Sequence, residues 1–324
     1  MHRNGKRASH ANCVWEDCNA RDLSKPSDSA MTLPPLCDTF RHQAGAVWNR
    51  MRKAADLKMP MSEETLTETV LFETARKHQS GDFLVVPATK SEEAVHGADW
   101  LFWFVAGGKG ISYRVQAKRL FPSGRYESLF KSGKDKGGQP IDPEQQLKKL
   151  IQKAKQDEHI PLYCFYNFRH SDGQFNFTSS KCSHNYRPPS FWGCSIALAE
   201  DVRFAKSDAL KALRPFMIPW HLLACTSDTV RLSDAAARAC RILAEPKGSP
   251  SVVNGVIQWE RPQRNVASEV RVPPDYVRQM IEIQRRPDIT SESARRTEIE
   301  DQARSILDEQ ELVGLTIFDD TRAT

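Results

Sequence analysis

The sequence predicts an α/β protein, and three observations carry that reading. Its periodic segments run in the order helix, three strands, helix, strand. The last of these strands, PLYCFYNF at 161–168, is a nearly continuous apolar and aromatic run, the mark of a strand covered on both faces. The chain has 324 residues, 40% of them hydrophobic, which is ample for a buried core and suits two domains or one domain with terminal additions. No stretch approaches the ~18 consecutive apolar residues of a membrane span, and the first thirty residues lack the apolar centre of a secretory signal. With 16 Gly, 19 Pro and 7 Trp the composition also excludes collagen-like and wholly disordered classes. A soluble, cytoplasmic protein without a membrane partner is expected.

Residues 1–30 carry no hydrophobic periodicity and read as a disordered leader, with Met31 as an alternative start. Leu36, Phe40, Ala44, Val47, Trp48 and Met51 recur at helical spacing and predict a helix over 36–57, so 31–61 reads as a helical segment ahead of a core at 62–200. Ser62 is an N-cap for a second helix reaching His78, with Leu66, Val70, Leu71 and Ala75 on one face. Strands follow at 83–87 (FLVVP), 99–105 (DWLFWFV, ended by Gly107-Gly108) and 111–118 (ISYRVQAK), and together they read as a meander. Trp100, Trp103 and Phe104 read as sheet core rather than base-stacking residues. A basic, glycine-bearing loop at 123–140 leads to a helix over about 143–156, with Leu147, Leu150, Ile151 and Ala154 inward. Past the buried strand and the apolar segment 192–200, helices are predicted near 206–213, 233–244, 274–285 and 291–311, a short strand at 312–318, and loop over 246–273. Residues 201–324 thus read as a mostly helical C-terminal extension.

Charge is unevenly spread. Between 118 and 155 there are ten Lys or Arg against four acids, a net +6 that exceeds the +5 of the whole chain. Such a patch suits a polyanion, because each cation seated on a phosphate releases counterions; the alternative is a solvated surface. The eight cysteines read as reduced thiols, several of them buried. Two loose clusters, Cys13/Cys18/Cys37/His42 and Cys182/His184/Cys194, lack the short spacing of zinc knuckles.

The residues that carry chemistry are His96-Gly97-Ala98-Asp99-Trp100 and Val115-Gln116-Ala117-Lys118-Arg119. Residues two apart on a strand share a face, so Gln116 and Lys118 project together and Val115 and Ala117 away from them. The separation from Asp99 suits a hairpin that brings all three side by side. A carboxylate, an amide oxygen and an ammonium on one buried face are costly unless they pair or bind a metal, and hard oxygen ligands suit Mg²⁺ or Mn²⁺.

This pattern resembles the PD-(D/E)XK phosphodiesterase superfamily, and QAKR is similar to its Mrr-like branch, in which Gln replaces the acidic residue of the (D/E)xK element. The longer string EETLTE, SEEAVHGADW, VQAKRL, IPLYCFYN and GCS resembles one bacterial family within it. The likeness covers about residues 36–200. It implies a restriction-endonuclease-like αβββαβ core with a mixed central sheet, and a Mg²⁺- or Mn²⁺-dependent endonuclease acting on nucleic acid, DNA first, in defence against foreign DNA. Carried onto this chain, it makes Asp99 a metal ligand, Gln116 a ligand through its side-chain carbonyl and Ala117 through its backbone carbonyl. Lys118 would orient the attacking water and stabilise the developing charge. The superfamily usually adds a Glu from the first core helix. Glu64 is the first choice and Glu68 the second, since both share a face with Leu71, whereas Glu63 aligns with Leu66 and Val70. Glu63, Glu93 and Gln146 are secondary candidates, and Arg119, Arg125, Lys148, Lys149 and Lys153 are expected to contact nucleic acid. Two departures stand out: Ala98 occupies the place of the family's Pro, and Gln116 removes a formal charge from the metal site.

Each feature has a plainer reading. Asp99 and Lys118 can form a cross-strand salt bridge, and glutamates in a first helical turn compensate the helix dipole. The competing functions are a non-catalytic nucleic-acid-binding module with a degenerate site and a basic interaction protein. A homodimer stays open.

Overall fold

Strands that are apolar on both sides need helices on both sides, and the chain supplies them from its two ends. The computed structural model describes residues 35–78, 83–87, 99–130, 133, 138–169, 188–226, 231–253, 256–266, 269–289 and 291–320. Its first half runs α1 (Leu36–Asp56), α2 (Glu63–Lys77), β1 (Phe83–Pro87), β2 (Asp99–Ala106), β3 (Lys109–Arg119), α3 (Gln145–Gln156) and β4 (Ile160–Tyr166). The second half adds β5 (Cys194–Leu198), α4 (Ala199–Ala205), α5 (Leu210–Leu213), β6 (Ile218–Pro219), α6 (Leu232–Ala244), β7 (Lys247–Val253), β8 (Val256–Arg261), α7 (Asp275–Arg285), α8 (Glu292–Glu309) and β9 (Gly314–Asp319). The leader, the cluster at Cys13 and Cys18, Cys182, His184, Glu92 and Glu93 lie outside the described residues.

Seven strands form one mixed sheet in the order β1-β9-β2-β3-β4-β5-β6. The fold is therefore α/β, as expected. β2 and β3 make an antiparallel hairpin, and α3 carries the chain from β3 to a parallel β4. One face is covered by α1, α2 and α6, which bury Phe40, Leu66, Val70 and Leu243 against Phe102, Tyr113, Val115 and Leu162. The other face has two patches. α3, α4 and α5 cover Tyr163 and Phe165, while α7 and α8 cover Leu101, Trp103, Leu315 and Ile317. Trp100, Trp103 and Phe104 are core, as predicted.

Four expectations are corrected. β1 does not pair with β2, so 83–118 is no meander: β9 lies between them, antiparallel to β1 and parallel to β2. All six residues of β9 are buried. Gly314 lets it approach β2, because a Cβ there would stand 2.4 Å from Cζ3 of Trp100. The C-terminal region is consequently part of the central sheet rather than an extension beside it. The supposed loop 246–273 contains the β7–β8 hairpin, whose connecting dipeptide, Asn254-Gly255, is a strong short-hairpin signal. Its end is anchored by Arg261, which donates to Asp201 on α4 at 2.6 Å with both side chains buried. The helix expected over 206–213 is confined to 210–213, because Lys206 adopts a left-handed conformation (φ 45°) that ends α4.

Candidate functional site at the open end of β3

Side chains alternate along β3, and both of its faces are buried. Ile111, Tyr113 and Val115 join the apolar cluster under α1, α2 and α6. Ser112, Arg114, Gln116 and Lys118 form a polar stripe on the opposite face, and none of the four is more than 5% exposed. Gln116 and Lys118 thus share a face, as the spacing predicts. The register sets Asp99, the first residue of β2, directly opposite Gln116; cross-strand partners occupy the same face of a sheet. The side chain of Asp99 itself lies outside the described residues. β3 runs three residues beyond this last pairing with β2, and Ala117 belongs to that stretch.

The first two polar residues of the stripe have structural partners. Ser112 Oγ and His159 Nδ1 are 2.8 Å apart, and Arg114 donates to the Glu311 carbonyl at 3.1 Å while lying 3.7 Å from the Asp157 carboxylate. At the other end, Lys118 Nζ donates to Gln146 Oε1 at 3.0 Å. Between them, Gln116 Oε1 is buried with no hydrogen-bond donor among the described residues. An orphaned buried carbonyl costs about 1–3 kcal/mol, and it is the feature that a cation would relieve. A hard oxygen from Gln116, with a carboxylate position opposite and an ammonium two residues away, fits a Mg²⁺ or Mn²⁺ site. Among the described residues no group of three or more His, Cys, Asp or Glu is gathered for a metal, so such a site would depend on Asp99 and on neutral oxygens.

The choice among the α2 glutamates is corrected. Ser62 caps α2 by accepting from Thr65 N at 3.1 Å, as predicted. That cap sets the rotation of the helix, so Glu64 and Glu68 are exposed. Glu63 instead accepts from the Arg119 backbone N–H at 3.3 Å and from Ser128 Oγ at 3.1 Å. Its alignment with Leu66 and Val70 was the available signal, since those residues face the sheet. Gln146, a secondary candidate, is at the site; Glu93 is outside the described residues.

The basic patch is less free than its net charge suggests. Lys148 pairs with Asp142 at 2.7 Å, Arg125 with Asp208, and Lys149 and Lys153 both with Glu311, at 2.6 and 3.1 Å. The two lysine hydrogen bonds hold the Glu311 carboxyl down at about 2. Asp142 lies within the patch itself, but Asp208 and Glu311 come from segments distant in sequence, which a local charge count cannot see. Arg119 is held differently, its guanidinium lying 3.8 Å over the Phe121 ring. Cys37, Cys164, Cys194, Cys225 and Cys240 are buried free thiols, and burial pushes Cys164 up to about 12. None of the helices among the described residues is long and apolar enough to cross a membrane.

No curated protein and no solved structure matches this chain. Residues 36–313, which span both the N-terminal helices and the α8–β9 turn that supplies Glu311, match the model of a family of unknown function (DUF6615), and the chain belongs to that family.

Proposed function

We propose that this protein is a metal-dependent phosphodiesterase that cleaves nucleic acid, DNA first, with its active site at the open end of β3. The observation that carries the reading is the buried, unpartnered Gln116 Oε1, in register with Asp99 and two residues from Lys118. The order of helix, hairpin, helix and parallel strand through α2, β2, β3, α3 and β4 also supports a restriction-endonuclease-like core, into which β9 is inserted as an additional strand.

Gln116 and Asp99 would hold the Mg²⁺ or Mn²⁺ ion, with the Ala117 carbonyl as a further oxygen. When bound, such an ion supplies Lewis acidity and a water of lowered pKa. Lys118, fixed by Gln146, orients the attacking water and stabilises charge growing on the phosphoryl oxygens. Glu63 acts on the end of β3 through the Arg119 N–H and Ser128, and so positions that stretch rather than contacting the phosphate. A role in defence against foreign DNA follows from the Mrr-like resemblance alone.

The ion pairs of Arg125, Lys148, Lys149 and Lys153 favour a second reading, a nucleic-acid-binding module with little catalysis. Plasmid DNA incubated with Mg²⁺ or Mn²⁺ separates the two. The wild type should nick or linearise it, and Lys118→Ala should lose at least about 100-fold in rate while still binding DNA. Binding without cleavage in the wild type would favour the second reading.

A further inference from the structure

Past the end of β3 a cavity of about 610 Å³ opens between the C-terminal end of α1 and the segments that leave β3 and β4. Met51, Met61, Leu120, Phe121 and Phe168 give it apolar walls. Among the described residues its charged lining is entirely cationic, from Lys58, Arg119 and Arg169. The Arg119 guanidinium lies 3.8 Å over the Phe121 ring, so a cation and an aromatic ring sit together in the wall. Apolar character continues onto the rim, where Leu57 and Met59 flank Lys58 and are 69% and 68% exposed.

The size is that of a small-molecule site. Apolar walls disfavour a bare inorganic anion, and three cations with no acid in the lining disfavour a neutral hydrocarbon. A planar aromatic group that carries a phosphate satisfies both, because bases stack on aromatic rings and on guanidinium planes. We propose that this cavity binds one unpaired nucleotide, its base against the Arg119–Phe121 stack and its phosphate on Lys58 and Arg169. The choice of a nucleotide rests on the phosphodiesterase reading: the cavity lies past the end of β3, the same strand end that carries Lys118.

The test is fluorescence of 2-aminopurine mixed with the whole protein in EDTA, where no cleavage intervenes. The probe is used as a free nucleotide, within a short single strand and within the matching duplex. A saturable change is expected with the single strand or the free nucleotide, and whichever responds identifies the source. Met51→Trp, which fills the cavity, should weaken that binding by at least about fivefold. Lys58→Glu, on the exposed rim, should weaken it in the same direction and serves if Met51→Trp does not fold. No change with any probe, an equal response from the duplex, or affinities unaltered in both variants would overturn the proposal. Plasmid cleavage without a fluorescence response would remove the pocket and leave the phosphodiesterase; a response without cleavage would do the reverse.

Discussion

The two faces of β3 are equally buried and chemically opposite. Ile111, Tyr113 and Val115 lie on one, Ser112, Arg114, Gln116 and Lys118 on the other. Apolar burial on the first face is favourable by itself, at about 25 cal/mol per Å², and the Tyr113 hydroxyl is satisfied by donating to the Ala236 carbonyl at 2.7 Å. The second face gains nothing from burial unless each polar group finds a partner. Near the α8–β9 turn, Ser112 is paired with His159 and Arg114 donates through Nη2 to the Glu311 carbonyl. At the open end Gln116 Oε1 has no hydrogen-bond donor among the described residues. A single strand thus changes from scaffold to candidate site along four alternate residues, toward the end that runs beyond its pairing with β2.

The sharpest way to test this contrast is to place a charge on the apolar face. Val115 is 4% exposed and surrounded by hydrocarbon, so Val115→Asp should cost several kcal/mol through an unpaired buried carboxylate and leave little folded protein at 37 °C. Circular dichroism and urea unfolding read this directly. A variant that stayed folded with a near-native midpoint would mean that this face tolerates charge as the other does.

That difference also explains what was legible in the sequence. Period-two alternation in ISYRVQAK gave both stripes and the convergence of Gln116 with Lys118, because strand geometry is local. The Asp99–Gln116 register followed from a short hairpin, which is nearly local as well. The place of β9 was not legible, since a strand at 314–319 inserted between β1 and β2 depends on a pairing across more than 200 residues. Separation in sequence likewise hid Glu311 from the charge count over 118–155. Glu63 was ranked below Glu64 for a local reason, a choice between two faces of one helix that Leu66 and Val70 could have decided.

A milder probe of the polar stripe is pH. His159, buried between Ser112 and Gln310, is lowered by burial to about 4, against an ordinary value of 6.5. The unfolded chain therefore binds the extra proton first as pH falls. The contribution of the neutral ring is fully present above 6.5 and is lost progressively toward 4, at up to about 1.4 kcal/mol per pH unit. Urea midpoints of the wild type should fall through that window, and those of His159→Gln should fall less. Parallel profiles would take His159 out of the stripe's energetics.

Gln116 should uncouple stability from function on a scale of about 1 kcal/mol. Gln116→Met keeps the volume and removes the orphaned oxygen, so the fold should gain about 1 kcal/mol while Mn²⁺ affinity is lost. Gln116→Glu should remain folded and bind Mn²⁺ more tightly, since hard-cation sites strengthen with carboxylate count. Calorimetric titration of Mn²⁺ into the three proteins decides it. Identical affinities would mean that Gln116 is no ligand, and the site would then rest on Asp99 and Lys118.

The smallest effect concerns the cations outside the stripe. Glu311 holds Lys149 and Lys153 at the solvent-facing side of α3, and such exposed pairs are worth little to stability. Glu311→Gln should therefore leave the urea midpoint nearly unchanged. It would release two lysines that the fold otherwise occupies. If α3 meets DNA, each lysine that gains a phosphate should steepen the fall of log K with log salt by about 0.9, so the variant should bind more tightly at low salt than the wild type and lose that advantage as salt rises. An unchanged slope would make Lys149 and Lys153 part of the internal closure of the polar face. The nucleic-acid surface would then have to be built from cations such as Lys58, Arg119 and Arg169 at the mouth of the cavity.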